Sequence, residues 1–177
     1  MGQKLTFICL LVLTISTTFG QSHSIKNLIE EEKPELSLYF YPSTLRMINL
    51  QRNAEFDELI RDIRKMTFLK LDKRAFNHSN FRQLVNELIS EENFEEYIVV
   101  EGNEHKLYLL GKESPPSTIG VAFYQKEYYA MDITGKINIK NLPKLYEQLS
   151  QNDSTFKNGF VNVFNVMSTH KENMDID

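Results

Sequence analysis

Four histidines, His23, His78, His105 and His170, are the residues of this chain best suited to proton transfer or metal ligation. They lie far apart with no i,i+4 pair, and neither an HExxH helix nor an EF-hand loop occurs. His105 adjoins Glu104 beside an expected turn, where an edge position explains it as well as chemistry does. With acidic neighbours, His105 or His78 would be the base of a small hydrolase. Serine catalysis wants a nucleophile elbow, and no G-x-S-x-G is present. Phosphate-cradling glycine loops are missing too, with only seven glycines overall. Asp132, two residues from Thr134 on an alternating stretch, is a candidate lone base, although the pattern favours a solvated outer-face position. No catalytic residue, cofactor or metal is therefore assigned.

The elements that would position these groups begin after a distinctive start. Lys4 precedes an apolar stretch from Leu5 to Ile15, and small polar residues follow as far as Gly20. A charged n-region, short h-region and small-residue cleavage zone make a secretory signal, and the apolar run is too short to span hydrocarbon. Cleavage after Gly20 predicts a mature chain starting at Gln21, periplasmic or secreted and soluble. Without Lys4 and Cys9 that chain has 19 basic residues against 24 acidic, a net charge of about −5, and no cysteine. Disulfides and thiolate chemistry are then excluded. No basic cluster is present to release counterions from a nucleic acid, and no second stretch has membrane length.

Residues 21–36 read as a polar, frayed lead-in, 37–150 as one domain, and 151–177 as a partly disordered tail. Leu36 to Tyr41 is extended and stops at Pro42, after which Ser43 is expected to cap a short turn through Leu45, Met47 and Ile48. Asn53 is the expected cap of a helix whose Phe56, Leu59, Ile60 and Ile63 share one face. Met66 to Leu71 alternates as a strand. A second helix carries Phe81, Leu84, Val85, Leu88 and Ile89, with Asn77 or Ser79 as cap, and ends at the acidic Glu91-Glu92-Asn93. Acids at a helix C-terminus oppose its dipole.

From Glu96 the period becomes two. Tyr97–Glu101 and His105–Leu110 flank Gly102-Asn103, predicting a two-residue hairpin with Ile98 opposite Leu107. Pro115-Pro116 breaks the sheet. A second hairpin, Thr118–Tyr124 with Tyr128–Thr134, is expected around the three residues Gln125–Glu127, with Ile119 opposite Ile133. A two-residue loop would oppose Ile119 to Asp132 and is rejected on that ground. Asn138 or Asn141 then caps a third helix carrying Leu142, Leu145, Tyr146 and Leu149, and Phe160 to Val166 is apolar enough to dock or add an edge strand. The fold class is α+β: a mostly antiparallel sheet with two to three amphipathic helices on one face.

In these registers Tyr97, Tyr108, Tyr124 and Tyr128 all point away from the Ile98/Leu107/Val121/Met131 face, a candidate recognition stripe for a peptide, protein or glycan. Asn77-His78-Ser79 and Asn152-Asp153-Ser154 match a glycosylation sequon that a eukaryotic secretory route could use.

Several stretches together resemble a known family: Ser43-Thr44-Leu45-Arg46-Met47-Ile48, Phe68-Leu69-Lys70-Leu71, Lys106-Leu107-Tyr108-Leu109-Leu110, and Ile133-Thr134-Gly135-Lys136-Ile137-Asn138-Ile139 before a helix. From about Leu36 to Leu149 the chain is similar to a domain-of-unknown-function family of small exported Bacteroidota proteins. The resemblance implies no catalytic residue. Family members are often lipid-anchored, whereas this chain lacks the anchoring cysteine. Some stand near extracytoplasmic sigma-factor systems, which implies regulation or envelope stress.

The resulting expectation is a non-enzymatic exported domain binding an envelope protein or peptide, as a regulator or assembly factor. The alternatives are the small hydrolase and a chaperone-like protein that pairs client strands with an open sheet edge. If the tyrosine stripe is exposed, Tyr108→Ser with Tyr124→Ser abolishes partner capture and leaves thermal stability nearly intact; equal loss of both would make the residues core.

Overall fold

The computed structural model describes residues 21–49, 52–102, 105–138 and 141. In chain order the elements are α1 (His23–Glu32), β1 (Leu36–Phe40), α2 (Pro42–Ile48), α3 (Ala54–Ile60), β2 (Ile63–Leu71), α4 (His78–Ser90), β3 (Glu95–Glu101), β4 (His105–Glu113), β5 (Pro116–Tyr124) and β6 (Glu127–Gly135). The strands form one open antiparallel sheet in the order β1-β2-β6-β5-β4-β3. The signal-like residues, the third expected helix and the Phe160–Val166 segment lie outside the described residues.

Short polar side chains start three of the helices: Ser22 Oγ accepts the Ile25 N–H of α1 at 3.3 Å, and asparagines cap the other two. Asn53 Oδ1 accepts the Glu55 and Phe56 N–H groups of α3 at 2.9 and 3.2 Å. Asn77 Oδ1 accepts those of Ser79 and Asn80, and Asn80 Oδ1 accepts the Asn77 N–H, a reciprocal cap on α4. Ser43 does not cap α2; Pro42 sits in its first turn with Tyr41 before it, because proline's missing N–H costs nothing there. Ile63 belongs to β2, not to the preceding helix, and still reaches the core that α3 covers.

Helices lie on both faces of the sheet, which corrects the one-face expectation. Met66, Phe68, Met131 and Ile133 pack with Leu45 of α2 and with Phe56, Leu59 and Ile60 of α3. The alternate residues Leu69, Leu71, Ile119, Val121 and Ala130 pack with Ile25 and Leu28 of α1 and with Phe81, Leu84, Val85 and Leu88 of α4. β2, β5 and β6 are therefore buried front and back.

Burial on both sides removes the parity argument used to choose the second hairpin. Its loop is Gln125-Lys126, both at positive φ (50° and 64°), and Ile119 pairs with Asp132. Left-handed conformations at both loop positions fit the right-handed strand twist, so a two-residue turn forms without glycine. The first hairpin also differs: Glu101 pairs with Lys106 and Ile98 with Leu109. That is a slip of two residues, which preserves every face. At the end of β6, Gly135 has φ +114°, and a Cβ there would lie 2.1 Å from the Asp62 carbonyl oxygen.

Residues 23–32, expected to fray, form α1 instead. Its first turn is held by Glu92, the acid at the far end of α4, whose carboxylate accepts the Ser24 N–H at 2.7 Å, the Ser22 hydroxyl at 2.8 Å and the His23 N–H at 3.1 Å. Asp132 accepts the Ser22 N–H at 3.2 Å and the Ser117 hydroxyl at 3.4 Å. It is buried, not solvated, because α1 closes over that end of the sheet.

The two carboxylates have opposite pH signatures. Burial pushes the Asp132 carboxyl up to about 6, against the Ser22 and Ser117 hydrogen bonds and the Lys65 charge, while the Glu92 charge adds to the rise. The folded chain thus keeps a proton that the unfolded chain has released, and stability falls as pH rises from about 4 to about 6. Burial also disfavours ionised Glu92, but the donors from Ser24, Ser22 and His23 outweigh it and hold that carboxyl below its ordinary value. Its contribution is present above the ordinary carboxylate range and lost on acidification. Urea denaturation across pH 4 to 7 should show Asp132→Asn lacking a fall of about 3 kcal/mol that the native chain displays over that window.

Candidate functional site

Among the described residues β3 is the outermost strand on its side of the sheet, paired only with β4. Its sequence, Glu-Glu-Tyr-Ile-Val-Val-Glu, is strand-forming and contains neither proline nor lysine, two residues that commonly blunt an open edge. Tyr97, Ile98 and Val99 are 40%, 37% and 43% exposed, while Val100 is buried. The Gly102 N–H donates to the His105 carbonyl at 2.8 Å. Antiparallel ladders alternate bonded and non-bonded pairs, so Val100 and Ile98 bond inward, and Val99 and Glu101 turn their backbone groups toward the open edge. Tyr97 is the extra residue of a bulge between Glu96 and Ile98. Its ring lies over Gly111, where a Cβ would fall 1.9 Å from the ring, so only glycine admits this packing.

Behind the edge, a groove of about 300 Å³ separates α4 from the β3–β4 hairpin. Phe81, Val85 and Ile89 give it an apolar floor, while Glu96, Glu101 and Arg82 rim it. Tyr108 donates its hydroxyl to Glu101, and Lys106 stands 4.0 Å from the same carboxylate. The Tyr108 bond, followed by the Lys106 and Arg82 charges, holds the Glu101 carboxyl below its ordinary value despite opposing desolvation. Burial, then Glu101, pushes the Tyr108 hydroxyl up to about 12. At neutral pH this pair is a fixed hydrogen bond. It offers a charged, half-open rim with acids at both ends of β3: Glu95 and Glu96 at one, Glu101 at the other.

The four tyrosines do not form a stripe. Tyr108 and Tyr128 lie on the α4 side, where Phe81 meets Tyr108 edge-on at 5.8 Å and Tyr128 is buried against Phe76, 5.3 Å away. Tyr124 packs against the opposite core, and Tyr97 covers Gly111. The expected hairpin register puts Val121 and Met131 on one face, whereas they belong to different cores. Tyr108→Ser would remove a packed ring, so it is not the stability-neutral change the stripe implied.

His78 and His105 are not brought together. His78 stacks on Phe81 and meets Phe123 edge-on, both at 6.1 Å. Partial burial, then Lys106 and Arg82, lower its imidazole's pKa, with Glu101 opposing. His105 starts β4 in the alternation of Leu107 and Leu109, whose side chains face the other core. Among the described residues no group of three His, Cys, Asp or Glu could hold a metal ion. The sequence shows this strand from Tyr97 to Glu101 but not its place in the sheet, because strand order is not written in periodicity; the uninterrupted Tyr-Ile-Val-Val between acids is the visible signal.

Compared with models of known protein families, with curated proteins and with solved structures, the chain matches nothing. What the structure defines is an α+β protein built on one open six-stranded antiparallel sheet. No helix among the described residues is long and apolar enough to cross a membrane. For the rim itself, Tyr108→Phe keeps the ring on Phe81 but removes the donor, so an NMR titration should find the Glu101 carboxyl moved up toward its ordinary value.

Proposed function

We propose that this chain is an exported, non-enzymatic protein-binding domain of the cell envelope that captures an extended polypeptide segment by strand addition along β3. The observation that carries this reading is the edge left open among the described residues: Tyr97, Ile98 and Val99 are more than one-third exposed on a strand with no proline or lysine. Added strands gain affinity from main-chain hydrogen bonds and specificity from alternate side chains. Here the outward backbone groups of Val99 and Glu101 would supply the first, and the groove floored by Val85 and Ile89 would supply the second. Acids at both ends of β3 select a segment that is apolar in its middle and basic at its flanks. Export is supported by the charged, apolar and small-residue succession of residues 1–20.

A seven-residue probe peptide with Lys at both ends and alternating Thr and Val between them tests the proposal on the full chain. At saturation it should shift the backbone amide resonances of β3. Val99→Pro removes an outward N–H without breaking the β4 ladder, and proline is tolerated at such a position. This variant should abolish the shifts while its Tm stays within about 4 °C of the parent. Unchanged binding after Val99→Pro, or shifts centred elsewhere, would defeat the assignment.

A further inference from the structure

We propose that the groove between α4 and the β3–β4 hairpin is a pocket for one aromatic side chain of the polypeptide segment added along β3. This rests on the strand-addition reading above and names the residue class that the segment must carry at its centre. Three observations converge on that occupant.

The first is direction. Val99 pairs with Tyr108 and Glu101 with Lys106, while Ile98 and Val100 pair with Leu109 and Leu107. Tyr108 meets Phe81 of α4 edge-on at 5.8 Å, whereas Leu107 and Leu109 belong to the core on the other face. Val99 and Glu101 therefore stand on the α4 side, and so does the residue of an added strand that lies directly opposite Val99. Val99 is short and 43% exposed, which leaves a low wall between that position and the groove.

The second is reach and size. Tyr108 on β4 lies two strand spacings, about 10 Å, from an added strand. A Val or Thr side chain extends one bond past Cβ and stops over β3. A ring or a long chain crosses Val99 and enters the groove, whose volume of about 300 Å³ is at the small end for ligand sites and suits one such side chain.

The third is chemistry. Arg82 and Lys106 balance Glu96 and Glu101 around the groove, and Glu101 already accepts the Tyr108 hydroxyl. A Lys or Arg head entering there would lose its water without gaining an unmatched acid, which disfavours a long cation. An apolar side chain remains, and the lining favours a ring over an aliphatic chain. Phe81 and Tyr108 already form one edge-to-face pair, and a third ring gains from the same geometry. Arg82 at the rim supplies a guanidinium that attracts the face of a ring. The Tyr108 bond to Glu101 also holds one of the two lining rings in place before anything binds.

The chain contains no tryptophan, so a tryptophan on a peptide is the sole indole emitter in the complex. The experiment titrates four Lys-flanked seven-residue peptides into the full chain, identical except for Val, Leu, Arg or Trp at the centre. The Trp peptide should bind about tenfold more tightly than the Val peptide, and about threefold more tightly than the Leu or Arg peptide. Its emission should move to shorter wavelength, and the Val85 and Ile89 methyl resonances should shift together with the β3 amides. Asn86→Phe, at an exposed position of α4 on the groove lining, places a ring of the chain's own there. It should cut the Trp advantage over Val to under about twofold while the Val peptide binds as before. Ile89→Ala, which removes part of the apolar floor, should reduce the same advantage.

Equal affinity of all four peptides, with the β3 amides still shifting, overturns the aromatic pocket and leaves strand addition standing. Equal gains from Leu and Trp overturn it in favour of an aliphatic anchor, and tightest binding by the Arg peptide overturns it in favour of a cation. A Trp advantage that survives both variants puts the ring elsewhere and overturns the assignment. No binding by any peptide overturns both readings.

Discussion

A sheet that is apolar on both faces has to be covered on both, and that constraint organises this molecule. β2, β5 and β6 are buried at most positions, with Met66, Phe68, Leu69 and Leu71 among the large apolar side chains they bury. Burying each such side chain contributes about 1.5–3 kcal/mol. α2 and α3 close one face, while α4 with the N-terminal α1 closes the other. α1 has few apolar anchors of its own, Ile25 and Leu28 chief among them. Glu92 supplies the rest of the attachment by lying against the unpaired N–H groups of its first turn, where a helix dipole favours negative charge. The acid that is poorly placed at the end of α4 is thus well placed at the start of α1.

Covering the faces leaves the edges. β1 is short, ending at Phe40, and Pro42 two residues on opens α2 and cannot donate to a ladder. β3 is longer, carries no such guard, and is twisted locally by the Tyr97 bulge while still presenting Ile98 and Val99. An edge of this kind invites a strand, and one left free invites aggregation. The acids at its two ends and the apolar groove beside α4 narrow what can pair with it.

Local features are legible in the residues themselves. Asn53 and Asn77 cap helices because their short side chains reach two N–H groups that the helix itself cannot satisfy. The Phe56/Leu59/Ile60 and Phe81/Leu84/Val85/Leu88 stripes face cores because helical spacing alone aligns them. Asp132 misleads for a definite reason: alternation shows which residues share a face but not whether the other face is dry. The same ambiguity misplaces the β5–β6 register, since Ile119 opposite Asp132 looks wrong only when one face meets water. It also gathers tyrosines from two faces into one supposed stripe.

The sequence by itself determined α3 and α4, their asparagine caps, the extended segments and the acidic balance, because each depends on residues within a few positions of one another. Tertiary structure decided that both faces of the sheet are buried, that Glu92 anchors a helix 70 residues earlier in the chain, and that β3 is the outermost of the described strands on its side. Those outcomes depend on strand order and on which surfaces compete for burial. Both are properties of the assembled layers, which no local period encodes.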